Sequence, residues 1–103
     1  MHVIARKIFN NAAKKYPNDG QSIDDLYRLL NSGKFKEPSE LKKSVPSLDN
    51  FKYKDKWWVI DIGGNNLRMI AFIEFRHGRV YVKHIVNHSD YNKLTERYRK
   101  KEL

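Results

Sequence analysis

Asn66-Leu67-Arg68-Met69-Ile70-Ala71-Phe72-Ile73-Glu74-Phe75 is the stretch that decides the fold. Successive side chains on a strand point to opposite faces. Leu67, Met69, Ala71, Ile73 and Phe75 then make one wholly apolar row, and Asn66, Arg68, Ile70, Phe72 and Glu74 make a mixed one. The apolar row is expected to pack on helices, with Arg68 projecting from the opposite, open face. Gly63-Gly64-Asn65 before the stretch and Arg76-His77-Gly78 after it are turn signals, because Gly and Asn accept positive φ. Turns this short predict antiparallel neighbours. Upstream, residues 56–62 should turn Trp58, Ile60 and Ile62 inward and Trp57, Val59 and Asp61 outward. Downstream, residues 79–86 should turn Val80, Val82 and Val86 inward with His84 among them, and Tyr81, Lys83 and Ile85 outward. Phe51-Lys52-Tyr53 alternates as a further strand would, ahead of a tight turn at Lys54-Asp55.

Outside this region the period is helical. Ile4, Ile8, Phe9, Ala12 and Ala13 recur at spacings of three and four, the stripe of an amphipathic helix. Tyr16-Pro17-Asn18-Asp19-Gly20 ends it. Ser22, with Asp25 three residues on, resembles a capping box opening a second helix that carries Ile23, Leu26, Tyr27, Leu29 and Leu30 and stops at Asn31-Ser32-Gly33. The short link predicts an antiparallel helix pair. Pro38-Ser39-Glu40-Leu41-Lys42-Lys43 reads as one short turn and Val45-Pro46-Ser47-Leu48 as an extended connector. Asn87 or Ser89 can cap a last helix bearing Tyr91, Leu94 and Tyr98. The order predicts an α+β domain spanning 1–103: two N-terminal helices on an antiparallel three- to four-stranded sheet, then a C-terminal helix.

With 103 residues the chain has room for one core. It is 40% apolar and 13% aromatic, which excludes a disordered segment. The absence of cysteine removes disulfides, zinc knuckles and thiol catalysis, and fits a cytoplasmic protein. No apolar run has the roughly 18 residues of a membrane span. Twenty-one Lys and Arg against twelve Asp and Glu leave a net charge of +9, which points to a polyanionic partner.

The open face combines Arg68 and Lys83 with Tyr81 and Trp57. Cations neutralise phosphates and aromatic rings stack unpaired bases. Taken singly, these are ordinary solvated charges and half-buried rings; together on a +9 chain they describe an RNA surface. The basic runs Lys52-Tyr53-Lys54 and Arg97-Tyr98-Arg99-Lys100-Lys101 extend it. Of four histidines, His2 and His77 lie in a terminus and a turn, and His84 alternates with valines. His88 falls where the last strand meets the last helix, one helical turn before Tyr91. Neither a metal site nor a cofactor is expected.

At these residues the sequence resembles the HigB-type toxins of bacterial toxin–antitoxin modules, within the RelE-like superfamily. The resemblance is carried by Ser47-Leu48-Asp49-Asn50-Phe51-Lys52-Tyr53, by Gly64-Asn65-Asn66-Leu67-Arg68-Met69-Ile70 and by Tyr81-Val82-Lys83-His84-Ile85-Val86-Asn87-His88-Ser89-Asp90-Tyr91. Gly-Asn-x-x-Arg ahead of apolar residues, then a strand running into a Thr-His-x-x-Tyr-like end, is the family pattern. Asn87 stands here where Thr is common, and Lys83 where Arg is common.

The resemblance implies the RelE-like microbial ribonuclease fold and an endonuclease that cuts messenger RNA in the ribosomal A site and so inhibits translation. It also implies a helix-turn-helix antitoxin of the HigA kind as partner, with ribosomal RNA and no membrane. Carried over by position, Arg68, Lys83, His88 and Tyr91 are the expected catalytic residues. Lys36, Lys52, Lys54, Trp57, Arg97, Arg99 and Lys100 are the expected RNA contacts. The chemistry needs no metal: the ribose 2′-hydroxyl is the nucleophile, and the cations stabilise the phosphorane-like transition state. An imidazole has an ordinary pKa of about 6.5, which suits His88 as base or acid; a phenol near 10 leaves Tyr91 an orienting role. A non-enzymatic RNA- or ribosome-binding module and a ParE-like gyrase inhibitor are the alternatives.

Overall fold

Strand β4, Leu67–Glu74, runs through the centre of a five-stranded sheet of order β1-β5-β4-β3-β2 in the computed structural model, which describes residues 1–103. The other strands are β1 (His2–Ile4), β2 (Asp49–Asn50), β3 (Trp57–Ile62) and β5 (Arg79–Asn87). The helices are α1 (Arg6–Lys15), α2 (Gly20–Ser32), α3 (Pro38–Ser44) and α4 (His88–Arg99). The apolar row of β4 behaves as its alternation predicts. Leu67, Met69, Ala71 and Ile73 are buried in one cluster with Phe9 and Ala12 of α1, Ile23 and Leu30 of α2 and Leu41 of α3. Phe75 lies just past the strand in a 3-10 turn and packs partly buried on the same cluster, its ring edge against Trp58 at 5.8 Å.

The sheet departs from an antiparallel meander at its far edge. β1 pairs in parallel with β5, His2 opposite Arg79 and Ile4 opposite Tyr81. Ile4 is therefore a strand residue, although its spacing to Ile8 matches a helical stripe. Ala5, in the left-handed region at φ 78°, makes the corner from β1 into α1. Three other local expectations change. Pro38 begins a seven-residue helix, not a single turn, because proline suits the first helical position. Ser22 lies inside α2, which starts at Gly20, so no capping box forms. Phe51, Lys52 and Tyr53 belong to the β2–β3 turn, and β2 is only Asp49–Asn50.

The correction that bears on the site lies in β5. Ile70 pairs with His84 while its neighbour Ala71 pairs with Val82, so Lys83 is an extra residue, a β-bulge. Beyond the bulge the faces swap. Ile85 opposes Met69 and is buried in the helix-side core, whereas His84 and Val86 oppose Ile70 and Arg68 on the other face. Inward positions for His84 and Val86 and an outward one for Ile85 are thus reversed. The letters keep alternating through the bulge, and only the pairing reveals it.

Candidate nucleic-acid interface

The face of the sheet away from α1 and α2 is not bare. Asn87 caps α4, its side chain accepting from the Asp90 N–H at 2.9 Å, and the helix folds back over the strands. Tyr98 is buried there with Phe51, Val59 and Ile70, and Trp57, Tyr91 and Leu94 pack against them. Tyr98 meets Phe51 and Trp57 edge-on at 5.3 and 5.5 Å. This small second core anchors α4 and fixes where its side chains stand relative to Arg68.

Arg68 rises from β4 beside Asp61 of β3, its register partner. Its guanidinium carbon lies 4.7 Å from the Tyr91 ring centroid, a cation–π stack across to the first turn of α4. Its Nε sits 3.4 Å from Asp61 Oδ1, close enough for ion pairing but without hydrogen-bond geometry, and that nitrogen is buried with no hydrogen-bond partner. The guanidinium is thus pinned from one side by a ring and from another by a carboxylate, with its side chain 30% exposed. A planar fork held this way can receive two oxygens of a phosphate.

Around it the cations are arranged on aromatic rings. Lys83 Nζ, thrown out by the bulge, stands 5.7 Å from the Trp57 ring, and Lys54 Nζ stands 6.0 Å from Trp57 and 5.8 Å from Tyr98. Lys52 is exposed in the same β2–β3 turn. His88, the first residue of α4, is held by the backbone: its Nε2 donates to the carbonyl of Asn65 in the β3–β4 turn. No hydrogen bond joins His88 to Tyr91. The turn that holds His88 is itself tied down, Asn66 Nδ2 donating to Asp19 Oδ1 at 3.1 Å.

The remaining expected RNA contacts do not join this group. Lys36 is exposed in the link between α2 and α3, with its backbone N–H on Glu40 Oε2. Near the end of α4 the basic run is met by its own acids: Arg99 hydrogen-bonds Glu96, Lys100 Nζ lies 3.7 Å from Glu96, and Arg97 Nε lies 3.8 Å from Glu102. The Arg99 hydrogen bond, aided by the charges of Arg99 and Lys100, holds the Glu96 carboxyl below the usual carboxylate range.

His84, which alternates with valines in the sequence, stands on the α4 side of the sheet. Turned outward by the bulge, it is hydrogen-bonded through Nε2 to the Tyr98 hydroxyl at 2.8 Å and lines a shallow cleft of about 340 Å³ with Asp90, Lys93 and Arg97. Burial, and then the neighbouring Lys83 charge, lower its pKa; burial raises that of Tyr98. Both shifts favour the neutral forms. No sequence signal marks this pair, because its meeting depends on the bulge. No three His, Cys, Asp or Glu side chains gather where a metal ion would need them.

Comparison with known proteins identifies the family. Residues 19–94 match the HigB toxin family, described as the RelE-like toxic component of a toxin–antitoxin system. The chain is 50% identical over 99 residues, 96% of each chain, to the mRNA interferase HigB of Escherichia coli O6:H1. It is 40% identical over 101 residues, 98% of this chain and 97% of the relative, to the mRNA interferase toxin HigB of Escherichia coli K12, and equally to the mRNA interferase HigB of Shigella flexneri.

Proposed function

The chain belongs to the HigB family of RelE-like toxins, and on that premise we propose that it is a messenger-RNA endonuclease acting on the ribosome, without a metal, and silenced by a helix-turn-helix antitoxin in the cytoplasm. The observation that carries the reading is the Arg68 guanidinium stacked on Tyr91 with Asp61 behind it, on a face where Lys54 and Lys83 stand over Trp57. The relatives' names supply the substrate class: they are mRNA interferases.

In the proposed reaction the ribose 2′-hydroxyl gives up its proton to a base, its oxygen attacks the adjacent phosphorus, and the 5′-oxygen leaves with a proton taken from water, giving a 2′,3′-cyclic phosphate and a free 5′-hydroxyl. Arg68 and Lys83 take the charge that grows on the non-bridging oxygens. With its Nε2 proton committed to the Asn65 carbonyl, a neutral His88 keeps a lone pair at Nδ1 and serves as the base. Tyr91 orients Arg68 and the strand. DNA, lacking the 2′-hydroxyl, is not cut. A chain with one such histidine and no deep groove leaves alignment of the message to its surroundings, and positioning is worth about 7–11 kcal/mol in favourable cases. The ribosome supplies that alignment and offers phosphates to a +9 partner.

The test compares one message free in solution and threaded through programmed ribosomes, using toxin stripped by chelator and then desalted. Cutting confined to the ribosome-bound message is expected. Equal cutting of the naked message overturns ribosome dependence, and dependence on added metal overturns the metal-free step. Intact RNA in both settings favours a binding module, or a gyrase inhibitor if DNA supercoiling stops. Co-expression with the neighbouring gene is expected to restore growth.

A further inference from the structure

Asp49 is out of place on a cationic face. It opposes Val59 in the β2–β3 register, and directly opposed residues share a face, so it lies on the α4 side with Arg68. It is exposed, no lysine or arginine pairs with it, and its Oδ1 only accepts the Asn50 N–H at 2.8 Å. A cleft of about 250 Å³ opens beside it, with Phe51, Lys52, Tyr53, Tyr91 and Thr95 in its walls. Tyr53 is 38% exposed, its ring propped at 5.8 Å against the edge of buried Phe51. Tyr91 is shared with the Arg68 stack.

A carboxylate repels phosphate, so Asp49 has no use toward an RNA backbone. Toward a base it has one. A carboxylate only accepts, and adenine, cytosine and guanine each present an exocyclic amino group. Uracil presents an imide N–H flanked by two carbonyl oxygens that a carboxylate repels. The exposed Tyr53 ring is a stacking platform of the kind that holds splayed bases. Tyr91 joins the two places, stacking on Arg68 and lining the cleft, so a phosphate held by Arg68 would have the base of a neighbouring nucleotide within reach of this cleft.

We propose that the cleft between Asp49, Tyr53 and Tyr91 reads one base of the message, accepting an amino-bearing base through the Asp49 carboxylate and rejecting uracil. The inference rests on the RNA substrate proposed above and names the residue that sets its sequence preference.

The test uses oligoribonucleotides made uncleavable by a single 2′-deoxy sugar and identical except for the base flanking it, titrated against the toxin at low salt. The adenine, cytosine or guanine version that fits best should bind roughly tenfold more tightly than the uracil version. Asp49→Ala, and the isosteric Asp49→Asn, should shrink that gap. Tyr53→Ala should weaken all four and keep the gap. Equal binding of all four by the parent, or an unchanged gap in both Asp49 variants, overturns the proposal. Binding is read apart from cleavage, so the two failures separate. A base preference without cleavage on ribosomes sinks the nuclease reading alone. Cleavage without a base preference sinks the pocket alone.

Discussion

Arg68 has the Tyr91 ring 4.7 Å from its guanidinium carbon and Asp61 3.4 Å from its Nε. Arg68→Ala is expected to lower cleavage on ribosomes by about 10²–10³-fold, as loss of a preorganised transition-state donor does. With both side chains about 30% exposed, the Asp61 pair should cost less than about 1 kcal/mol when broken. The thermal midpoint should therefore stay near the parent's while activity falls. Arg68→Lys keeps the charge but not the flat fork that stacks and grips two oxygens, and should recover only part of the rate. A rate equal to the parent's in Arg68→Ala would remove this residue from the site. His84 predicts a pH effect of the opposite kind, on stability. Burial and Lys83 lower its folded pKa below the ordinary 6.5, so protonation favours the unfolded chain. Its stabilising contribution is fully present above about pH 6.5 and is lost as pH falls through the lowered folded value. Between pH 7.5 and 5 the denaturant midpoint of the parent should drop more than that of His84→Gln.

At the scale of elements, α4 is placed by its cap and by Tyr98. Asn87→Ala removes the bond to the Asp90 N–H and is expected to cost about 1 kcal/mol, read as a lower urea midpoint at unchanged slope. Because the same turn carries Tyr91, cleavage should weaken too. The strands around β4 were legible because Leu67, Met69, Ala71 and Ile73 form a wholly apolar row opposite a mixed one and the flanking turns carry glycine at positive φ, as at Gly63 and Gly78. β1 was not legible: three residues carry no period, and its pairing with Arg79–Tyr81 is remote in sequence. Nor was the bulge, since Val80, Val82, His84 and Val86 read as one uninterrupted row. The same limits apply to the candidate site. Arg68 follows from strand alternation and Tyr91 from its place after the last strand. His84 with Tyr98, His88 on the Asn65 carbonyl and Asp49 beside Tyr53 are juxtapositions that only packing creates.

For the whole molecule, the net charge of +9 predicts binding to ribosomes that falls steeply with salt. The count of cations overstates what each region contributes. Lys52→Ala with Lys54→Ala should flatten the log–log salt slope by about 1.4, at about 0.7 per phosphate on single strands. Arg99→Ala with Lys100→Ala should flatten it less, because Glu96 already meets both charges. Glu96→Ala should steepen it. Equal slopes for the two double variants would show that the acids of α4 do not shield its cations. The parallel edge strand adds a matter of timing. Translation makes His2–Ile4 early and its partner Arg79–Tyr81 late, at about 5–20 residues per second. Throughout that interval the nascent chain holds an unpaired edge, and Tyr91, which flanks Arg68, is made later still. The order of synthesis therefore delays assembly of the site until Tyr91 has followed the last strand out of the ribosome.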